Sequence, residues 1–202
     1  MQVFAHPFMY WVGMDTDPRT TPEALADFNR FYSTTHVREV LAAHPGFVSV
    51  NRYELLEPDP RGGEHRGPRW LAVYEAQDEA AALQYIKDNE RPWLHRRKYS
   101  PWPSARRKAK TVWRMLWQEL SLTDADGRPP EAVFMVGTND PDAPSTDTFG
   151  ARLELYRAFA HPEPGCPQYC DIYAADASGP RGEWEQRESV WRLVYRRIPA
   201  PE

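Results

Sequence analysis

The stretch VWRMLW at 112–117 decides the fold, because it returns near the end of the chain as VWRLVY at 190–195. Both stretches are apolar, aromatic and β-branched, which is typical of strands. Two further segments recur in the same order: VGMDTDP at 12–18 as VGTNDP at 136–141, and AHPG at 43–46 as AHPEPG at 160–165. Three ordered matches predict that one structural unit occurs twice in this chain.

The first unit has a complete pattern of strands and helices. FMYWVG at 8–13 predicts a strand. Thr21 as N-cap, Pro22 at the first helical position and Glu23 in the first turn predict a helix over 22–43. Strands over 47–55 and 70–75, a helix over 78–89 and a strand over 111–120 complete the order β-α-β-β-α-β. This is the order of the split-βαβ, ferredoxin-like unit.

The second unit is predicted to be a shortened copy. The distance from His44 to Val112 is 68 positions, whereas that from His161 to Val190 is 29. We therefore expect its third strand to be shortened and its second helix to be lost or reduced, since 178–188 is too short and too polar to replace both elements. The domains are residues 1–122, which include a basic segment at 91–110, and residues 123–202. Because a split-βαβ sheet has helices on one face only, its other face needs a cover, and two such sheets form a barrel-like core.

Bulk composition excludes several classes of protein. The net charge of −4 does not indicate a nucleic-acid-binding protein, and two cysteines spaced C-x3-C cannot form a disulfide framework. The N-terminus lacks a basic, apolar leader, and the chain has no membrane-length apolar run, so a cytoplasmic location is expected. The glycine-rich nucleotide loops and the G-x-S-x-G elbow of hydrolases are absent from the sequence.

The segment FNRFYSTTHV at 28–37, with PGF at 45–47 and Arg52-Tyr53, resembles the EthD-like branch of the dimeric α+β-barrel superfamily. The resemblance covers about residues 8–90. It implies an α+β fold in which the ferredoxin-like unit is duplicated within one chain, forming an intrachain dimeric α+β-barrel. It also implies an active cavity between the sheet and the first helix, with His36 directed into it. The superfamily includes cofactor-free monooxygenases, polyketide cyclases, lactone isomerases, dehydratases and haem-degrading enzymes, so the fold does not select a reaction.

His36 and Tyr32 are the predicted catalytic residues. Phe28, Tyr32, His36 and Val40 recur every four residues and form an inward stripe. An imidazole titrates near neutral pH and can act as a general acid or base. Aligning the two units without a gap places His36 opposite Leu153 and Tyr32 opposite Phe149, which predicts a single site, in the first unit.

The predicted substrate-binding residues are aromatic or amide side chains on strands. Alternation places Phe47, Ser49, Asn51 and Tyr53 on one face of the second strand, where Asn51 and Tyr53 could reach a substrate carbonyl. Trp70 and Tyr74 share a face of the third strand, and Tyr10 lies on the first. For each of these strand residues, simple core packing is the alternative. The full set is Tyr10, Asn51, Tyr53, Trp70 and Tyr74.

The basic segment at 91–110 holds eight Lys or Arg and no acid, with Trp93, Tyr99 and Trp102 interleaved. Its composition is typical of a solvated surface helix or loop. Two other interpretations stay open: a patch that attracts an anionic substrate or a carrier protein, and a site that binds single-stranded nucleic acid. The acidic overall charge counts against nucleic acid. The sequence has no metal-binding motif, and we expect no cofactor, although haem on His36 or His95 stays open. No membrane contact is expected. Whether the protein forms a homo-oligomer stays open.

These features favour a cofactor-independent enzyme of the cyclase, dehydratase or monooxygenase type. Its substrate is expected to be a small aromatic or polyketide-derived molecule, held by aromatic side chains and activated by proton abstraction next to a carbonyl. The alternatives are a non-catalytic small-molecule binding protein of the same fold, and a nucleic-acid or assembly partner that uses the basic segment.

Overall fold

The computed structural model describes residues 5–89, 99–102, 109–123, 130–158, 165–176 and 178–199. The strands are β1 (Phe8–Thr16), β2 (Phe47–Glu57), β3 (Trp70–Ala76), β4 (Ala109–Thr123), β5 (Ala132–Thr138), β6 (Gly150–Ala158), β7 (Tyr169–Ala174) and β8 (Trp191–Ile198). The α-helices of this part of the chain are α1 (Pro22–Phe31), α2 (Val37–Ala43), α3 (Glu79–Asn89) and α4 (Ser178–Glu185). A π-helical turn, Tyr32–His36, joins α1 to α2.

The eight strands form one closed barrel in the order β1-β3-β2-β8-β5-β7-β6-β4, with β4 pairing back to β1. Every neighbouring pair is antiparallel. The first four strands lie in the order β4-β1-β3-β2, and the last four in the order β8-β5-β7-β6. The two half-sheets join at the β2–β8 and β4–β6 seams, so the barrel has no unpaired edge.

The helix predicted over 22–43 is confirmed, with a π-helical turn at its centre. Thr21 is the N-cap, and its Oγ1 accepts a hydrogen bond from the backbone N–H of Ala24 at 3.3 Å. Helix α3 is capped in the same way, since the Asp78 carboxylate accepts from the Ala81 N–H at 2.8 Å. None of the helices in the described part of the chain is long and apolar enough to span a membrane.

Large side chains fill the inside of the barrel. Four indoles, those of Trp11, Trp113, Trp117 and Trp191, lie there with at most 3% of their surface exposed. Aliphatic and sulfur-containing side chains from all eight strands pack around them. Alternating strand residues point to this interior, so the residues between them face outward.

The outer face of the first half-sheet is covered by α1, the π turn, α2 and α3. A second core lies in this layer, and its members come from both the helices and the strands: Tyr10, Phe28, Tyr32, Val40, Phe47, Trp70, Tyr74 and Ile86. This layer is where the sequence places the candidate site.

Helix α4 covers part of the second half-sheet and has eight residues, which agrees with the expectation of a lost or reduced second helix. Trp184 is fully buried there and packs with Phe134, Tyr173 and Val194. Burial of one large indole stabilises a helix whose own sequence is polar and contains two glycines. In its described residues, the second half carries α4 as its only helix.

The segment aligned with the first helix is also corrected. Residues 150–158 form strand β6, in which Ala151, Leu153 and Leu155 face the barrel interior. Phe149 and Leu153 therefore are not helical counterparts of Tyr32 and His36. The prediction that the two units align without a gap in this region is wrong. The matching AHPEPG motif lies at 160–165, of which 160–164 are outside the described residues.

Strand β2 contains a bulge that changes which side chains share a face. The register with β3 shifts between Phe47 and Ser49. As a result, Phe47 packs on the helix side while Tyr53 lies inside the barrel. The predicted common face of Phe47 and Tyr53 is wrong, because a bulge adds one residue to the strand and reverses the alternation.

The loop between β2 and β3 is fastened to the start of β8. The Asp59 carboxylate accepts two side-chain hydrogen bonds from Arg61, at 2.9 and 2.7 Å, and one from the Arg192 N–H at 2.9 Å. Arg61 in turn donates to the carbonyl oxygen of Ser189 at 2.9 Å. The side chain of Asp59 is fully buried. Donors around the carboxylate favour its ionised form and lower the pKa of Asp59 to about 2, against the opposing effect of burial.

Candidate functional site

Tyr32 and His36 are the first and last residues of the π-helical turn. Their ring centroids are 5.1 Å apart, with the rings nearly perpendicular. Single π turns inside helices occur often at functional sites, because they change the direction in which side chains point. The turn thus brings the two predicted catalytic residues together in the layer between helix and sheet.

Tyr74 on β3 is the strand-side partner of Tyr32. Their hydroxyl oxygens are 3.3 Å apart, within hydrogen-bonding distance, and both side chains are buried. Burial, followed by the proximity of Tyr32, raises the pKa of Tyr74 well above its usual value. The Tyr74 hydroxyl therefore keeps its proton at neutral pH and can donate a hydrogen bond.

Arg52 on β2 completes this group, and the sequence analysis did not single it out as a site residue. Its guanidinium carbon lies 4.3 Å from the centroid of the Tyr32 ring. Its nitrogens donate to the backbone oxygen of Asn29 at 3.1 Å, the Asn29 Oδ1 at 2.8 Å and the Ser33 hydroxyl at 2.6 Å. All three acceptors are neutral, and desolvation is the main cause that lowers the pKa of Arg52.

Aromatic rings surround His36. The centroid of Trp102 lies 4.3 Å from that of the imidazole, and Tyr99 and Phe31 lie at 5.4 and 6.4 Å. Trp102 and Tyr99 belong to residues 99–102, one of the two described parts of the basic segment. That part is held on α2 because the Ser100 N–H donates to the Glu39 carboxylate at 3.0 Å. Residues 99–102 therefore form one wall of the site.

Tyr10 and Trp70 lie in the same buried layer. The Tyr10 hydroxyl accepts a hydrogen bond from Nε of Arg114 at 3.0 Å. Burial raises the pKa of Tyr10, and the neighbouring Arg114 partly opposes that rise. Trp70 is buried at the other end of the layer, with the guanidinium of Arg69 4.9 Å from its ring centroid.

A cavity of about 670 Å³ lies at the Trp70 end of this layer, and of the predicted site residues only Trp70 lines it. Asn29, which accepts a hydrogen bond from Arg52, lies on its wall together with Trp70. Charged residues near the seam between β2 and β8 also line it: Glu54, Arg69, Glu131, Arg196 and Arg197. The volume is within the range of small-molecule sites.

Asn51 and Tyr53 lie on the opposite face of the sheet from His36. Asn51 pairs with Val73 and Tyr53 with Leu71, and both partners face the barrel interior. Burial raises the pKa of Tyr53, whose hydroxyl is enclosed in the apolar core. The structure therefore brings together Tyr10, Tyr32, His36, Trp70 and Tyr74, and separates Asn51 and Tyr53 from them.

Metal ligation finds no support in the described residues, which contain no group of three or more His, Cys, Asp or Glu placed to hold an ion. Haem does not fit at His36, because the rings of Phe31, Trp102 and Tyr99 occupy the space that a porphyrin bound to this imidazole needs. His95 lies outside the described residues.

Most of the basic segment, residues 91–98 and 103–108, also lies outside the described residues. A carrier protein or nucleic acid at this segment therefore stays a prediction, as does a homo-oligomer. The part at 99–102 packs on α2 and on the π turn, so it contributes to the site's wall.

No family model matches this chain, and neither does any curated protein. Solved structures do match it. An anthrone oxidase-like protein is similar over 96% of this chain and 93% of its own, at 12% identity and a TM-score of 0.56. A chlorite dismutase-like protein is similar over 99% of this chain and 96% of its own, at 9% identity and a TM-score of 0.54. A variant chlorite dismutase from Candidatus Nitrospira defluvii, solved with cyanide, is similar over 96% of this chain and 91% of its own. Its identity is 10% and its TM-score is 0.50.

At these identities the likeness concerns the fold alone. It agrees with the closed eight-stranded barrel and with the helices on its outer face. The chain therefore has a dimeric α+β-barrel fold, with both half-sheets of the barrel supplied by a single polypeptide.

Proposed function

We propose that this protein is a cofactor-independent enzyme that removes a proton next to the carbonyl group of a small aromatic or polyketide-derived substrate. The observation that carries the proposal is the Tyr32–Tyr74–Arg52 group beside His36. It combines a titratable imidazole with hydroxyl and guanidinium donors in one buried layer. That combination is what proton abstraction with a stabilised enolate requires.

In the proposed step, a ring nitrogen of neutral His36 takes the proton from the carbon next to the carbonyl group. The electron pair of the broken C–H bond moves onto the carbonyl oxygen and gives an enolate. The hydroxyl groups of Tyr32 and Tyr74 donate hydrogen bonds to that oxygen. The step is common to cyclases, dehydratases and cofactor-free monooxygenases, so the proposal does not depend on which reaction follows.

The shape of the site favours a flat substrate. Aromatic rings of Trp70, Tyr10 and Trp102 line the layer, and stacking on such rings holds planar molecules. The EthD-like sequence pattern in the first half supports the same substrate class. We also infer that the two halves are copies of one ferredoxin-like unit, residues 1–122 and 123–202, since their strands follow the same spatial order.

The first step can be tested without knowing the natural substrate. The probe is 1,8-dihydroxyanthrone in anaerobic D2O buffer, and loss of its methylene proton signal is followed by NMR. We expect the protein to accelerate exchange above the buffer rate, and His36→Gln to reduce that acceleration by at least about tenfold. Glu183→Gln, on the exposed surface of α4, is the matched control and should leave the rate unchanged.

The other outcomes are informative. Exchange at the buffer rate, with tight binding of the probe, would support the non-catalytic binding protein instead. An unchanged acceleration in His36→Gln would remove His36 from the proposed step. Admitting air separates the enzyme types, because a monooxygenase would convert one anthrone and one O2 into one anthraquinone and one water.

A further inference from the structure

Arg52 and Arg152 occupy the same place in the two halves of the barrel. Arg52 lies on β2 opposite Ala72 of β3, and Arg152 lies on β6 opposite Asp171 of β7. Strands β2 and β6 have the same position in their half-sheets, which run β4-β1-β3-β2 and β8-β5-β7-β6. The two arginines are therefore positional equivalents.

The neighbouring strand confirms this register independently. Val12 of β1 lies opposite Ala72, and Val136 of β5 lies opposite Asp171. Each of these valines precedes a glycine in the repeated VG motif. The side chain that faces the arginine across the strands is thus Ala72 in the first half and Asp171 in the second.

In the second half the guanidinium is neutralised. Nη1 of Arg152 lies 2.9 and 3.0 Å from the two carboxylate oxygens of Asp171. Asp171 is almost fully buried, and the guanidinium of Arg152 also lies over the ring of Tyr169, at 4.3 Å. A carboxylate held this closely leaves little net charge for a ligand.

In the first half the charge of Arg52 meets only neutral acceptors, on Asn29 and Ser33. Among the described residues no ion pair joins its guanidinium to a carboxylate, and the charge of Glu54 acts on it from a longer distance. A buried charge without a carboxylate in direct contact is costly unless something else compensates it. The Asn29 side chain that accepts from Arg52 also lines the 670 Å³ cavity, so one hydrogen bond connects the guanidinium to the cavity wall.

We propose that the ligand of this cavity is an aromatic molecule with an ionised oxygen, a carboxylate or a phenolate, and that Arg52 binds that oxygen. In the second half, Asp171 pairs with the equivalent Arg152, so that arginine does not bind a ligand. The proposal rests on the proposed function only in taking this layer as the ligand site. It specifies the substrate class, whichever reaction follows.

The test compares 1-naphthoate with its neutral analogue 1-naphthamide by isothermal titration calorimetry. We expect the wild-type protein to bind naphthoate at least about tenfold more tightly than the amide, which corresponds to one charge-assisted contact. Ala72→Asp introduces into the first half the carboxylate found in the second, and should reduce naphthoate affinity by a similar factor. Ala72→Asn, of nearly the same size but uncharged, is the control and should retain the preference for naphthoate.

Arg52→Met is the second variant, and it should equalise the two ligands. It keeps the proposal testable if Ala72→Asp fails to fold, which circular dichroism would reveal. Equal binding of naphthoate and naphthamide by the wild-type protein, or binding of neither, would overturn the proposal. An unchanged preference for naphthoate in Arg52→Met would do the same.

These outcomes are separate from those of the proton-exchange test. If naphthoate binds through Arg52 while 1,8-dihydroxyanthrone exchanges at the buffer rate, the ligand class stands and the enzyme proposal fails. If exchange is accelerated while Arg52→Met leaves the naphthoate preference unchanged, the enzyme proposal stands and the role of Arg52 fails.

Discussion

Trp113 and Trp191 stack on each other inside the barrel, with ring centroids 5.0 Å apart and an angle of 29° between the ring planes. They hold equivalent positions in the two halves, on β4 and β8, and each stands against a glycine. A Cβ added to Gly137 would lie 2.5 Å from the indole of Trp191, and one added to Gly13 would lie 2.8 Å from Cβ of Trp113. The repeated VG motif therefore has a packing explanation.

Gly137→Ala tests this packing. We expect it to lower the free energy of unfolding by about 2 kcal/mol, because the new methyl group meets a ring that the filled barrel cannot move. Urea denaturation measures the change. Gly182→Ala is the control, since a Cβ there meets no atom within 4 Å, and on the helix α4 it should stabilise by roughly 0.5–1 kcal/mol. Equal stability of the two variants would contradict the packing explanation.

Trp184→Ala tests the role of helix α4. The side chain is fully buried against Phe134 and Tyr173, so its removal should cost about 3–5 kcal/mol. Thermal and urea unfolding would report the loss. Glu183→Ala, at the exposed neighbouring position, should change stability by less than about 0.5 kcal/mol. A small effect of Trp184→Ala would mean that α4 contributes little to the second half.

Asp59 makes the stability of the folded protein depend on pH, and the stability falls at acidic pH. Its pKa in the folded protein is about 2, below the ordinary value of 3.8, so the folded state favours the ionised form. The stabilisation is fully present above about pH 4 and is lost as the pH falls through about 2. From the difference in pKa it is of the order of 2 kcal/mol.

The measurement is the urea stability of wild-type protein and of Asp59→Asn between pH 2 and 7. The variant should be less stable at neutral pH, because the neutral amide is a weaker acceptor for Arg61 and for the Arg192 N–H. The stability difference between the two proteins should shrink as the solution is acidified. A difference that stays constant down to pH 2 would show that the Asp59 charge is not its source.

Tyr74→Phe tests the hydroxyl pair of the site. Removing one donor to the enolate oxygen should slow the accelerated exchange of 1,8-dihydroxyanthrone by about a hundredfold while leaving the fold intact. Tyr156→Phe is the matched control, since this tyrosine lies exposed on the outside of β6 and bonds Glu79. If the two phenylalanine variants exchange the probe equally fast, Tyr74 does not act on the enolate.

The sequence predicted the first half well because its local signals agree with the final packing. Thr21, Pro22 and Glu23 start a helix by their own chemistry, and the strand segments are apolar and β-branched on their own. The faces of β2 could not be predicted in full. The bulge between Phe47 and Ser49 depends on pairing with β3, and alternation along a single strand does not reveal it.

The second half is harder to predict from its sequence, for two different reasons. The Leu-, Ala- and Arg-rich segment at 150–158 has good helix formers, yet its alternation of Leu153 inward and Arg152 outward is that of a strand. Helix α4 has a weak local signal and is stabilised by the burial of Trp184. Arg52 belongs to the EthD-like sequence pattern, but its proposed role depends on Ala72 in the neighbouring strand. The contrast with Asp171 becomes visible only when the register of both half-sheets is known.

Joining both half-sheets in one polypeptide has an evolutionary consequence. In a barrel assembled from two identical chains, each substitution appears twice, so both sides must accept it together. Here the β2–β8 and β4–β6 seams lie within one chain, and each side can mutate alone. A gene of this kind can retain a buried ion pair such as Arg152–Asp171 on one side while the other side, with Ala72, is selected for a different task.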